Sequence, residues 1–126
     1  MVRILVADDS PAIRRCLRGL LDQHADWLVC EEACNGREAI ERFRETQPDL
    51  IVIDFQMPEM NGLEAARRIA DMSPTTPILM VTIHLSKQLS EAAQKVGIRG
   101  ACAKGDIRSV VDAVGALLRQ ETYFPN

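Results

Sequence analysis

The amino-acid sequence predicts an α/β domain: a parallel sheet with helices on both faces. Three observations carry this. Short apolar runs alternate with helical patterns five times from one end to the other. The runs are continuous rather than alternating, as expected of parallel strands buried on both sides. No linker, repeat or low-complexity stretch divides the 126 residues, a length that suits one hydrophobic core.

Each element has its own signal. Arg3 to Ala7 (RILVA) reads as a short buried strand ending in Asp8-Asp9. Ser10 and Pro11 mark a helix start, and Ile13, Cys16, Leu17, Leu20 and Leu21 recur at helical spacing. Trp27 to Ala33 is a second strand, and Asn35 caps a helix carrying Ala39, Ile40 and Phe43. Leu50 to Asp54 is the third strand. Its loop runs through Pro58 and Gly62 into a helix with Leu63, Ala66 and Ile69. Pro77 to Thr82 is the fourth strand, followed by a less hydrophobic helix over about Lys87 to Val96. Gly100 to Lys104 is the fifth strand, and the last helix carries Ile107, Val110, Val111, Val114, Leu117 and Leu118. Right-handed crossovers leave few ways to join such units. The reading is a flavodoxin-like (βα)5 doubly wound sheet of strand order 2-1-3-4-5, spanning residues 1–121. Residues 122–126 are read as the start of a linker or tail, with Tyr123, Phe124 and Pro125 opening a continuation.

Composition narrows the function. Forty-seven per cent hydrophobic and 26% charged residues are ordinary for a globular chain. A net charge of -3 argues against a nucleic-acid grip by the chain itself. Arg14, Arg15 and Arg18, and Arg67 with Arg68, are read as solvated helix faces. Cys16, Cys30, Cys34 and Cys102 form no C-x-x-C pair, and His24 and His84 lack the spacing to complete a zinc set with them. The expectation is reduced, mostly buried thiols. With no signal peptide and no apolar run of membrane length, a cytoplasmic protein is expected.

Function is written at the strand ends. The first strand ends in Asp8-Asp9, the third in Asp54, the fourth in Thr82 and the fifth in Lys104. In open α/β sheets ligands bind at the carboxyl ends of the strands, at the switch point between strands one and three. Strands one, three, four and five are spatially sequential in the expected order, so these side chains converge. Three carboxylates in one place repel, and one takes up a proton unless a cation sits among them. Hard oxygen ligands in small number, completed by water, favour Mg²⁺. The ion and Lys104 would neutralise a phosphoryl group, and Asp54 would attack phosphorus in line.

This constellation resembles the receiver domain of two-component response regulators. The resemblance covers essentially the whole chain. It rests on Asp8-Asp9, on D-x-x-M-P-x-x-x-G at Asp54, Met57, Pro58 and Gly62, and on Thr82 and Lys104. It implies that Asp54 is the phosphoacceptor. It implies that Asp9, Asp54 and the main-chain carbonyl of Gln56 bind Mg²⁺ directly, with Asp8 helping through water. Thr82 and Lys104 would contact the phosphoryl group. Gln56 and His84, each two residues past a site residue, would tune the dephosphorylation rate. Lys104-Gly105-Asp106 and the tail are similar to the branch with a LuxR-type helix-turn-helix output. That branch implies a sensor histidine kinase as partner, a possible homodimer, and DNA contact only through an output domain that this sequence lacks.

Taken singly, each residue has a plain explanation. Asp8-Asp9 could cap the first helix, Thr82 could be an ordinary strand-end threonine, and Lys104 and His84 could simply be solvated. Met57, Met60, Met72 and Met80 are expected to pack in loops and core. Five polar residues meeting at one edge is what outweighs these readings. The sequence also departs from the family pattern. Gly105 stands where a proline usually follows the lysine. Ala101 stands where many receivers carry an aromatic that turns inward as the threonine moves. Ile83 replaces a small residue and would restrict access to the site.

Other functions fit less well. A receiver fold used as a constitutive interaction module would explain Ala101 and Ile83 but not the intact site. A Mg²⁺-dependent phosphohydrolase usually needs a second acid near the nucleophile, where this chain has Gln56. Flavin binding would need bare N–H groups after the first strand, where ADDSPA places carboxylates. The chemistry is therefore expected on the protein itself, without turnover of a separate substrate.

Overall fold

The computed structural model describes residues 1–125; Asn126, the last residue of the expected tail, lies outside the described residues. Five strands form one parallel sheet of order β2-β1-β3-β4-β5. They are β1 (Val2–Ala7), β2 (Trp27–Ala33), β3 (Leu50–Asp54), β4 (Ile78–Thr82) and β5 (Gly100–Ala103). The helices are α1 (Pro11–Asp22), α2 (Gly36–Thr46), α3 (Gly62–Met72), α4 (Lys87–Lys95) and α5 (Ser109–Leu118).

Four helices start by the same chemistry. Ser10, Asn35, Asn61 and Ser86 are N-caps whose side chains accept from the main-chain N–H three residues on. Each such cap contributes about 1 kcal/mol by satisfying a free donor. The fifth helix departs from the expected pattern. The strand ends at Ala103, opposite Thr82, and Lys104–Asp106 forms a 3-10 turn instead of a last strand residue and a first helical turn. Beyond Ala103 there is no strand residue on β4 left to pair with, so the chain turns. Ile107 consequently sits before α5 rather than in it.

Alternate strand residues face opposite sides and build two cores. Leu5, Ala7, Ile51, Ile53, Met80 and Ala101 belong to the cluster that includes Phe43 of α2, Ile69 of α3 and Ala93 of α4. Ile4, Val6, Leu50, Val52, Val81 and Cys102 belong to the cluster containing Leu17 of α1 and Val114 of α5. A fully buried side chain of this size stabilises the fold by about 1.5–3 kcal/mol, as an upper estimate.

The two sheet edges are closed differently. At β5, the Ala101 N–H donates to the Tyr123 carbonyl (2.8 Å) and the Tyr123 N–H to the Arg99 carbonyl (3.0 Å). A Cβ on Gly100 would lie 2.9 Å from Leu117 Cδ1 and 3.1 Å from the Tyr123 main-chain oxygen, so a side chain there would push on this edge contact. The segment read as a tail thus begins by covering an edge strand, and Phe124 packs against the first core. At β2 the register slips between Ile4 and Leu5, leaving Cys30 bulged.

The cysteines correct one expectation. Only Cys102 is buried; Cys16 and Cys34 are exposed and Cys30 is half-buried. Helix α1 turns Leu17 and Leu21 inward, which carries Cys16 to the outer side, and Cys34 lies in the loop before α2. Among the described residues, no helix is long and apolar enough to cross a membrane.

Candidate functional site

The sheet brings four of the expected residues together at its carboxyl end. Asp8, directly after β1, and Asp54, the last residue of β3, are 1% and 3% exposed. Lys104 Nζ lies between them, 2.9 Å from Asp8 Oδ2 and 3.2 Å from Asp54 Oδ2. Asp9 is exposed, yet one oxygen from each of Asp8, Asp9 and Asp54 falls within a 4.8 Å cluster. Thr82 is buried at the end of β4, opposite Ala103. No hydrogen bond among the described residues joins it to the acidic cluster. Gln56, Ile83 and His84 are exposed on the flanking loops, and Ile83 keeps 60% of its surface in solvent.

Local chemistry holds the carboxylates in place. Ser10, not Asp8 or Asp9, caps α1: its hydroxyl accepts from the Ile13 N–H at 3.3 Å. That leaves Asp9 unused by the helix. Asp8 Oδ1 accepts from the Ser10 N–H (2.9 Å), and Arg14 donates to the Asp8 carbonyl (2.6 Å). Asp8 Oδ2 faces Lys104 but receives no well-directed hydrogen bond, so a buried anionic oxygen is left with only an ion-pair partner. Such an oxygen is costly unless a further cation or donor reaches it.

The charges are strained in a consistent direction. Burial pushes the Asp54 carboxyl above its ordinary range, the neighbouring Asp8 charge adds to this, and Lys104 only partly offsets both. Burial also opposes the Lys104 ammonium, but its close ion pairs with the Asp8 and Asp54 carboxylates outweigh it and raise its pKa. One cation is therefore shared by two buried carboxylates, with a third close by. All the side-chain donors in the cluster are hard oxygens, without nitrogen or sulfur. The set fits a small divalent ion such as Mg²⁺.

The loop after β3 completes the site. The Gly62 N–H donates to the Phe55 carbonyl (2.7 Å), and a Cβ on Gly62 would collide with the main-chain carbonyl of Asp54. The glycine of the D-x-x-M-P-x-x-x-G run is thus required by close backbone approach. Asp9, Phe55, Gln56, Met57, Pro58 and Asn61 line a shallow groove beside the carboxylates.

Sequence reasoning missed the supporting arginines. Arg14 and Arg18 both grip Glu32 of β2, at 3.0 Å and 2.6 Å, rather than standing solvated. Partial burial raises the Glu32 pKa, and the two guanidiniums more than reverse this. Arg14 and Arg18 are 18 and 14 residues from Glu32, on a different element, so no local spacing signals the pairing.

Comparison with known proteins agrees with this geometry. The family model described as response regulator receiver domain matches residues 4–115. The transcriptional regulatory protein YxjL of Bacillus subtilis is 32% identical over 98% of this chain and 57% of its own length. The chemotaxis protein CheY of Thermotoga maritima is 33% identical over 81% of this chain and 84% of its own. A protein-glutamate methylesterase of Methanosarcina mazei is 38% identical over 75% of this chain, which spans only 27% of that relative. Among solved structures, a LuxR-family two-component response regulator from an Aurantimonas species superposes with a TM-score of 0.93 at 31% identity. That match covers 98% of this chain and 89% of the other. The chain belongs to the response regulator receiver domains of two-component systems.

Proposed function

We propose that the domain is a phosphorylation switch: Asp54 accepts a phosphoryl group from the phosphohistidine of a sensor histidine kinase, with Mg²⁺ bound. The observation that carries this is the Asp8, Asp9 and Asp54 oxygen cluster with Lys104 shared between two of its members. Asp9, Asp54 and the Gln56 carbonyl would hold the ion directly and Asp8 through water. When bound, Mg²⁺ supplies the charge that lets an anionic phosphoryl group approach anionic carboxylates. An Asp54 oxygen forms the new bond to phosphorus as the bond from phosphorus to the donor's imidazole nitrogen breaks. The electron pair leaves with the donor ring, whose other nitrogen already carries a proton. Lys104 turns from the carboxylates to the phosphoryl oxygens, and the Thr82 hydroxyl donates to one of them. Gln56 and His84, exposed on the flanking loops, set how readily water hydrolyses the aspartyl phosphate, releasing inorganic phosphate.

The charge placed on Asp54 then biases Thr82, the loop after it and α4 toward a second arrangement. This would control a homodimer or a LuxR-type DNA-binding output domain outside the chain. Similarity to the LuxR-family regulator and to YxjL supports that output. The reaction is on the protein's own side chain in the cytoplasm, so no separate substrate is turned over. A second reading, a constitutive interaction module, is favoured by one observation. Ala101 is fully buried and offers no ring to follow Thr82.

The test is intact mass after incubation with Mg²⁺ and a small acyl-phosphate donor, with Asp54→Asn as control. A phosphoryl adduct that the variant lacks is expected. Mg²⁺ with beryllofluoride is the companion probe, since Ile83, exposed directly after Thr82, would restrict entry of the larger acyl-phosphate donor. Failure of both replaces the switch with the interaction module. Ala substitution of Gln56 and His84 that left the adduct's lifetime unchanged would remove their tuning role.

A further inference from the structure

The loop that carries Gln56 rests on a helix that contributes nothing to the site. Gly36, the first residue of α2, is buried against Met60 at the loop's far end. A Cβ there would stand 2.2 Å from the Met60 carbonyl oxygen and 2.9 Å from its carbon, both main-chain atoms that cannot rotate away. Beside it, Asn35 Nδ2 donates to Glu59 Oε2 at 2.9 Å, while Asn35 Oδ1 caps α2. Arg37 Nη1 lies 3.6 Å from Glu59 Oε1. Glu59 itself has φ +67°, a left-handed conformation that a side chain disfavours. The other left-handed residues that are not glycine, Gln47 and Gln120, lie just past the ends of α2 and α5, where such geometry is usual. Glu59 has no such excuse. Its neighbours on α2 hold the strained residue from two sides.

We infer that the start of α2 is the seat of the Mg²⁺-binding loop, and that Asn35 and Gly36 are positioning residues for ion binding at Asp54. This rests on the reading that Mg²⁺ binds among Asp9, Asp54 and the Gln56 carbonyl. The loop is fixed at its start by Asp54 in β3 and at its end by the Gly62 to Phe55 hydrogen bond. Between these anchors, the contacts at residues 59 and 60 set how far the Gln56 carbonyl leans toward the carboxylates. A main-chain ligand cannot adjust by changing rotamer, so an error in the seat passes directly to it. Outer partners of metal ligands commonly change ion affinity by about 10–100-fold when removed.

The experiment is a Mg²⁺ titration of the isotope-labelled full chain followed by amide NMR, with a thermal melt of each variant. Gly36→Ala displaces the seat. Asn35→Ser keeps an N-cap but cannot reach Glu59, and it changes no charge. Ile40→Val, on the same helix but in the core, serves as a destabilised control. We expect the dissociation constant to rise about tenfold in Gly36→Ala and severalfold in Asn35→Ser, and to stay unchanged in Ile40→Val. If Gly36→Ala and Ile40→Val melt earlier but both bind Mg²⁺ like the wild type, α2 is merely structural and the inference falls. If Gly36→Ala does not fold, Asn35→Ser decides alone. Wild-type protein that fails to bind Mg²⁺ overturns the site reading itself, an outcome distinct from equal binding by all variants.

Discussion

Two clusters in this domain pair carboxylates with cations, and they are opposites in consequence. At the sheet's end, Asp8, Asp54 and Lys104 meet with almost no solvent. On α3, Glu64 meets Arg67 at 2.7 Å and Arg68 at 3.4 Å, with Asp71 a further partner of Arg67, all at the surface. The exposed cluster has the better geometry: two guanidinium nitrogens of Arg67 donate to the two oxygens of Glu64. The Arg67 hydrogen bonds, helped by the charges of Arg67 and Arg68, hold the Glu64 carboxyl down at about 2 in spite of desolvation, which raises it. The buried cluster has the worse balance, since two carboxylates share one ammonium and Asp54 is pushed upward. Good pairing at the surface satisfies charges that water would satisfy anyway. Poor pairing in the interior leaves charge that something else must neutralise. That unmet demand supports the proposal that the buried cluster is a cation site.

The sharpest way to break this contrast is to remove the shared cation. Lys104→Met should cost about 3–5 kcal/mol in Mg²⁺-free buffer, because two buried carboxylates then face each other unpaired. Mg²⁺ should restore much of that loss, read as a rise in denaturation midpoint. A variant insensitive to the ion would mean that the cluster is not a cation site.

Removing a carboxylate should act in the opposite sense. Asp54→Asn should abolish the proposed acceptance of a phosphoryl group and yet stabilise the apo domain, by about 1 kcal/mol or a few degrees in melting temperature. The pH dependence supplies the sign. The folded-state pKa of Asp54 lies above its ordinary value of 3.8, so the native state binds its proton more tightly than the unfolded chain. Its contribution to stability therefore declines as pH rises from 3.8 through the raised folded value. Asp54→Asn, or saturating Mg²⁺, should flatten that part of the stability–pH curve. A curve that rises over the same window in the wild type alone would contradict the strained-charge account.

The smallest effect belongs to the surface cluster. Glu64→Ala should leave the melting temperature within error and the Mg²⁺ affinity unchanged. In low salt, NMR should place the Glu64 carboxyl below its ordinary value of 4.5, and 1 M salt should return it toward that value. A large stability loss on this substitution would erase the distinction drawn between the two clusters.

Particular residues show how much could be read beforehand. Leu50 to Asp54 announced a buried strand with a carboxylate at its end, because an apolar run has one physical use in a parallel sheet. Ser10 and Asn35 announced helix starts, since capping is local chemistry. Lys104 was readable as a site residue but not as the opening of a 3-10 turn, because that depends on where β4 runs out of partners. Cys16 fitted an apolar helical spacing but lies outside it, because periodicity does not resolve which edge of a stripe faces the core. The Arg14–Glu32–Arg18 grip had no signature at all, since it joins α1 to β2 across elements.

By itself, the sequence determined the alternation of elements, the sheet order and the set of polar residues at the strand ends. Those follow from hydrophobic period, capping and chain chirality, which act over a few residues or over one crossover. Only the tertiary structure decided how the charges balance: one ammonium shared between Asp8 and Asp54, an Asp8 oxygen left without a directed donor, and Gly36 pressed against Met60. These depend on ångström distances between segments tens of residues apart. Over such distances burial and Coulomb energy change steeply while the sequence pattern stays the same.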